Sequence, residues 1–222
     1  MTAERDRTRA LQSASLCLDY PDQALVNTAP VIAEAAAELP PPAGAPLARF
    51  VAHLTGTPLS QLTRDYVDTF DLRRRCCLYL TYYSHGDTRK RGMALLRFTH
   101  AYRRAGLELT GGELADHLGI VCAVAARAPE TGLALLRDHR AAVELLAAAL
   151  HDTASPYADV LDTIRAVLPE PAPDDLERAL QLAAEGPPSE EVGLEPFAPP
   201  EYMGSHPAKT LRVFAGTPKV DR

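Results

Sequence analysis

The sequence predicts an all-α protein, folded as one compact single-domain helical bundle with a flexible proline-rich C-terminal tail. Three observations carry this. Apolar residues recur at helical spacing along nearly the whole chain up to Gly186. No segment shows the period-two alternation of a half-buried strand. Beyond Gly186 the composition changes: Pro187, Pro188, Pro196, Pro199, Pro200, Pro207 and Pro218 sit among glycine, serine and charged residues, a mixture that reads as extended or disordered. The expected division is a helical domain over residues 1–186 and a tail over 187–222. A chain of 222 residues with 46% hydrophobic side chains can bury a core of its own.

Taken in order, Leu11, Ala14, Ser15 and Leu18 share one helical face, and Asp19-Tyr20-Pro21-Asp22 ends that helix because Pro21 disfavours a helical residue before it. Leu25, Ala29, Ile32, Ala36 and Leu39 predict a second helix, bent or restarted at Pro30. Pro40-Pro-Pro-Ala-Gly-Ala-Pro46 reads as a connector. Leu47, Phe50, Val51 and Leu54 predict a short helix closed by Gly56, and Leu59, Leu62, Tyr66 and Phe70 the next stripe. Asp87 or Thr88 is placed to cap a helix that stops at Gly106. Leu114, Leu118, Val121 and Ala125 repeat the spacing, as do Leu133, Leu136, Val143, Leu146 and Leu150. Ser155-Pro156 gives an N-cap followed by proline at the first helical position, ahead of the stripe Tyr157, Val160, Leu161, Ile164 and Leu168. Asp174 is the expected cap of a last helix through Leu176, Leu180 and Ala183.

Composition narrows the function. The net charge of -6 argues against a general nucleic-acid binder. No apolar run reaches the length of a membrane helix, and the first residues lack the continuous apolar stretch of a secretory signal. The phosphate-loop, dinucleotide, zinc-protease and nucleophile-elbow motifs are all absent, so no catalytic residue is expected. The four cysteines include no C-x-x-C pair. Adjacent Cys76 and Cys77 would point about 100° apart on a helix, a poor arrangement for one tetrahedral metal. They read as buried small side chains of a reduced cytoplasmic protein, with no metal and no cofactor expected. His85, His100, His117, His139 and His151 are scattered without ligand spacing and read as surface or capping residues.

The stretch from Tyr66 to Met93 stands apart. Between Arg64 and Arg104 ten basic residues face four acidic ones, locally +6, which leaves -12 for the rest of the chain. Arg73, Arg74, Arg75, Arg89, Lys90 and Arg91 are the residues a helical nucleic-acid binder would use, and that is the alternative reading. The aromatic residues Tyr66, Phe70, Tyr79, Tyr82 and Tyr83 read either as core with hydroxyls at its edge or as the lining of a groove for an amphipathic peptide helix. In the second case Asp65, Asp68 and Asp71 would rim the groove, and Leu72 would add apolar contact.

The run Phe70-Asp-Leu-Arg-Arg-Arg-Cys-Cys-Leu-Tyr-Leu-Thr-Tyr-Tyr83, followed by Gly86-Asp-Thr-Arg-Lys-Arg-Gly-Met93, resembles the nitrate reductase delta-subunit family, the NarJ-type members of the TorD/DmsD/NarJ superfamily. Leu18-Asp-Tyr-Pro-Asp22, Glu113-Leu-Ala-Asp-His-Leu118, Leu135-Leu-Arg-Asp-His-Arg140, Ser155-Pro-Tyr157 and Val192-Gly-Leu-Glu-Pro-Phe197 are similar to segments of the same family, with Ala115 where the family often has proline. The resemblance implies a TorD-like all-helical fold. It also implies a cytoplasmic chaperone that holds the apo catalytic (alpha) subunit of nitrate reductase by its N-terminal peptide and assists insertion of the molybdenum cofactor. Molybdenum cofactor delivery proteins would be further partners, and neither nucleic acid nor stable membrane insertion is implied. The peptide-binding residues expected from the aromatic block and its acidic rim are Asp65, Tyr66, Asp68, Phe70, Asp71, Leu72, Tyr79 and Tyr83.

Overall fold

In the computed structural model, residues 2–186 and 188 are described, and they lie in one compact unit. Among them are eleven α-helices and no strand. The chain runs α1 (Thr2–Cys17), α2 (Gln23–Glu38), α3 (Pro41–Gly56) and α4 (Leu59–Tyr66), then a π-helical turn (Val67–Asp71) and a 3-10 turn (Arg74–Cys76). It continues with α5 (Tyr82–His85), α6 (Arg89–Arg104), α7 (Leu118–Arg127), α8 (Pro129–Asp138), α9 (Arg140–Asp152), α10 (Tyr157–Val167) and α11 (Pro173–Glu185).

Helix α1 is central. It packs on α7, α10 and α2, while α3 fills the angle between α2 and α10, and α9 carries α11. The expected stripes point inward: Leu11, Leu18, Ile32, Leu47, Phe50, Leu62, Leu118 and Leu136 are all essentially inaccessible. Burying each such side chain is worth about 1.5–3 kcal/mol.

Several local expectations are corrected. The proline-rich stretch over Pro40–Pro46 is the start of α3 rather than a connector. Pro41 and Pro42 occupy its first turn, where amide donors are not used, and the Ala43 and Gly44 amides donate to the Pro40 carbonyl at 3.0 and 2.8 Å. Gly44 lets that turn seat against α2, since a Cβ there would lie 2.5 Å from the Ala36 carbonyl oxygen. Helix α2 runs through Pro30 without restarting; Pro30 faces solvent, where water can meet the carbonyl it leaves without a donor. Leu114 lies outside α7 and is 40% exposed. Leu133 and Leu136 belong to α8, and Val143, Leu146 and Leu150 to α9, the two helices being divided at His139. The cap of α11 comes from Asp175, whose carboxylate accepts the Ala172 amide at 2.9 Å, and not from Asp174.

Two polar knots lie inside this apolar frame. Buried Glu144 on α9 accepts from Arg140 at 2.7 Å and from Arg165 of α10 at 3.0 Å, and Arg140 also reaches the Pro169 carbonyl. Buried Asp116 accepts from the Thr81 amide at 3.0 Å and from the Thr81 hydroxyl, and faces Arg91 of α6 at 3.8 Å. Helix α11 ends at Glu185, so Gly186 closes it as expected. The expected tail, Pro188 apart, lies outside the described residues.

Candidate functional site

Four segments distant in sequence meet at one cleft of about 250 Å³. The turn between α1 and α2 supplies Asp19 and Tyr20. The end of α4 and the π turn supply Tyr66, Phe70 and Asp71, the extended stretch before α5 supplies Leu78 and Tyr79, and the loop before α7 supplies Glu113 and His117. The last two segments are held together by backbone bonds. The Leu118 amide donates to the Leu78 carbonyl at 2.8 Å, and the Leu80 amide to the Asp116 carbonyl at 3.1 Å.

The floor is aromatic. Tyr20 stands edge-on to Tyr66 at 5.4 Å, Tyr66 to Phe70 at 4.8 Å, and Phe70 to Tyr157 of α10 at 4.7 Å. The π turn keeps Phe70 on the same side as Tyr66 while the helix unwinds, through a Leu72 amide bond to the Val67 carbonyl at 3.1 Å. Tyr66 donates its hydroxyl to the Leu18 carbonyl at 3.1 Å, which satisfies the end of α1. Tyr79 donates to Glu113 at 2.8 Å and stands edge-on to His117 at 5.6 Å, with the Arg91 guanidinium behind its ring at 5.1 Å.

The rim is acidic. Burial, helped by Asp22 and Glu113, holds the Asp19 carboxyl above its ordinary value. Burial also acts to raise Glu113, but the Leu114 amide, the Tyr79 hydroxyl and His117 outweigh it, so Glu113 stays below its ordinary value and ionised. Burial pushes His117 down, against the pull of Glu113 and Asp116, so its ring is neutral near pH 7. Both tyrosines are raised, chiefly by burial, and remain protonated donors. The cleft therefore presents carboxylates above aromatic faces, an arrangement that favours a cationic side chain with apolar neighbours.

Of the residues expected from sequence, Tyr66, Phe70, Asp71 and Tyr79 come together here. Tyr66 and Phe70 are also core: both are buried, with one edge on the cleft. The others are elsewhere. Asp65 accepts from Gln61 on the flank of α4, Asp68 faces solvent, and Leu72 is 71% exposed. Tyr83 is buried away from the cleft, donating to the Arg75 and Cys77 carbonyls. Sequence reasoning missed Asp19, Tyr20, Leu78, Glu113 and His117 as site residues. Of the histidines read as surface or capping, His117 and His139 stand at helix ends, His117 before α7 and His139 between α8 and α9; His117 is 4% exposed, and half-buried His139 lies tilted against Phe98 at 4.9 Å.

The nucleic-acid alternative finds no support. Arg91, one of its six residues, is turned inward onto Asp116, Asp87 and the rings of Tyr79 and Tyr82. Cys17, Cys76 and Cys122 are buried, and no group of potential metal ligands occurs among the described residues. No helix among them is long and apolar enough to cross a membrane.

Comparison with known proteins shows the family and the fold. The chain is 41% identical over 155 residues to the nitrate reductase-like protein NarX of Mycobacterium tuberculosis, which covers 69% of this chain and 23% of that protein. It is 32% identical over 154 residues to the nitrate reductase molybdenum cofactor assembly chaperone NarJ of Escherichia coli, covering 68% of this chain and 65% of that one. The chain thus spans under a quarter of NarX and about two thirds of the Escherichia coli protein. A crystal structure described as a redox enzyme maturation protein from Archaeoglobus fulgidus shares the fold, with a TM-score of 0.52 at 23% identity over 71% of this chain and 91% of that one. The sequence pattern of the nitrate reductase delta subunit matches residues 36–162, which include Tyr66, Phe70, Tyr79, Glu113 and His117. The chain belongs to the nitrate reductase delta subunit family.

Proposed function

We propose that this chain is a system-specific cytoplasmic chaperone for a respiratory nitrate reductase. It holds the apo catalytic subunit by its N-terminal peptide while the molybdenum cofactor is inserted and the complex matures, and it is not itself an enzyme. The helical domain over residues 1–186 does this work, and cofactor delivery proteins are the further partners expected. Membership of the family and the assembly role that the names of the NarJ relatives carry support the reading. The observation that carries it to a site is the convergence of Leu18–Asp22, Tyr66–Tyr79 and Glu113–Leu118 on one aromatic, acid-rimmed cleft.

A cleft of about 250 Å³ has room for a side chain or two, not for a helix about 10 Å across. The bound peptide therefore lies across the mouth. One basic or aromatic residue enters between Tyr66, Phe70 and Tyr79. Asp19, Asp71 and Glu113 draw in the positive charge. Rim charges act mainly on the association rate, buried anchors on residence time.

The test is co-purification with a tagged nitrate reductase catalytic subunit, followed by titration of that subunit's N-terminal peptide. Phe70→Ala should shorten residence, while Asp19→Asn should slow association and flatten the salt dependence. Failure to co-purify the subunit would sink the chaperone reading. Co-purification with unchanged peptide kinetics in both folded variants would move the site elsewhere.

A further inference from the structure

Arg91 stands apart from the other basic residues of α6, which are exposed. Its side chain is only 14% exposed, and it lies in the first turn of the helix, where the dipole disfavours a cation. Leaving water adds a second cost. An ion pair does not account for this placement. A guanidinium set to bind a carboxylate meets it with two parallel bonds. Here Asp116 is 3.8 Å away and gives one oxygen to Thr81, while its other oxygen and the Arg91 Nη2 both lack a hydrogen-bond partner. The bonds Arg91 does make are long, at 3.3 Å to the Thr81 hydroxyl and 3.2 Å to exposed Asp87.

What Arg91 meets closely is aromatic. Its guanidinium carbon lies 5.1 Å from the centre of the Tyr79 ring and 5.9 Å from that of Tyr82, within the range of a cation–π contact. Tyr79 lines the cleft and Arg91 does not, so the cation backs the ring from the protein side. The hydroxyl of the same ring donates to Glu113 at 2.8 Å. A second bond reaches Glu113 from the amide of its own neighbour, Leu114, at 2.9 Å. That bond moves with the loop. The Tyr79 bond is the one that ties the carboxylate to another element. Both fall on Oε1, so Oε2 is the oxygen an incoming cation would meet.

We propose that Arg91 is a positioning residue of the cleft: by backing the Tyr79 ring it keeps the phenol on Glu113, and so fixes at the rim the carboxylate that selects a basic side chain of the bound peptide. The inference rests on the peptide reading of the cleft and deepens it. A carboxylate already held in place binds a cation without first losing its own freedom, so preorganisation favours the basic residue over an apolar one of similar length. Arg91 itself touches no part of the peptide. Its effect is opposite in sign to that of its charge. Coulomb repulsion from a cation behind the wall opposes a basic ligand, whereas the clamp on Tyr79 favours it.

The experiment is calorimetric titration of the full-length protein with a synthetic N-terminal peptide of the nitrate reductase catalytic subunit, and with a copy carrying norleucine at each basic position. The wild type should prefer the basic peptide. Arg91→Gln should cut that preference by about fivefold, the net worth of one hydrogen bond. Tyr79→Phe, which keeps the ring and loses the hydroxyl, should cut it by the same factor. The double variant should lose no more than either alone, since both remove one bond. An Arg91 that only supports the fold would weaken both peptides alike, and one that acts only through its charge would raise the preference when removed. Either result overturns the proposal, as do losses that multiply in the double variant. If Arg91→Gln does not fold, Arg91→Lys takes its place, lacking the flat guanidinium face, and an undiminished preference there is equally fatal. A wild type that binds neither peptide sinks the peptide reading and this role with it. A wild type that binds both peptides equally, or whose preference is indifferent to Arg91, sinks this role alone.

Discussion

Replacing Asp116 tests how the cleft wall is held. Its carboxylate is fully buried, accepts from both the amide and the hydroxyl of Thr81, and faces Arg91, whose side chain is itself only 14% exposed. Asp116→Ala strands two buried donors of Thr81 at about 1–3 kcal/mol each and leaves a mostly buried guanidinium with the exposed Asp87 as its counter-charge. Taking the contacts as partly redundant, the loss should be about 3–5 kcal/mol, in the range for breaking a buried pair. Asp116→Asn keeps an acceptor for Thr81 but loses the charge, and hydrogen bonds to a neutral group are roughly half as strong, so about 1–2 kcal/mol should go. Urea unfolding followed by circular dichroism measures both, with the slope unchanged if the denatured state is. A double cycle with Arg91→Met should give a coupling of about 1 kcal/mol or more. A loss under about 1 kcal/mol in the alanine variant would refute the reasoning, as would equal losses in the two variants.

The remaining expectations use other parts of the structure. Gly132→Ala should destabilise by about 1–3 kcal/mol or displace α8, because its Cβ would sit 2.3 Å from the backbone of Ala125 on α7; an unchanged urea midpoint would contradict this contact. Burial pushes Cys17 up to about 12 and Cys77 to about 11, and raises Cys122, so native thiols should react with Ellman's reagent at pH 8 at least a hundredfold more slowly than in urea; fast native reaction would show the core is open there. Burial lowers His53, His117 and His139, so the unfolded chain takes up protons first as pH drops below about 6.5, and stability present above that value is lost on acidification. Asp19, raised, acts with the opposite sign, its contribution being present at acid pH and lost as pH rises through its folded value. Urea midpoints between pH 7 and 5 should therefore fall, and less steeply in His117→Gln.

Helices were legible wherever one apolar stripe met one neighbour. Leu25, Ala29, Ile32 and Ala36 repeat at helical spacing, and all four are buried in α2. Prolines misled where position within a helix decides their effect. Pro41 and Pro42 look like linker residues but suit a first turn, and only the tertiary fit of Gly44 on α2 shows that the turn is helical. Leu114 misled for the reverse reason. It keeps the spacing of α7, yet Asp116 and His117 between it and Leu118 are committed to Thr81 and to the ring of Tyr79, which holds that stretch out of the helix.

The site was half legible, for a related reason. Tyr66 and Phe70 are four apart on one helical face, so local spacing alone put them together, and Asp71 follows. Asp65 and Asp68 alternate with them in sequence but turn away, standing one and two places from Tyr66, positions that point off its helical face. The other two acids that line the cleft, Asp19 and Glu113, are 94 positions apart, and no local period relates them. Both nevertheless sit in segments that resemble the family, Leu18–Asp22 and Glu113–Leu118. Such segments would be hard to explain by helix packing, since Tyr20 is 55% exposed and Asp19 and Glu113 are ionisable groups taken partly out of water beside each other. Two like-charged groups placed close together around open space cost stability when that space is empty. A cation entering between them removes that cost, so the repulsion that weakens the free protein strengthens the complex.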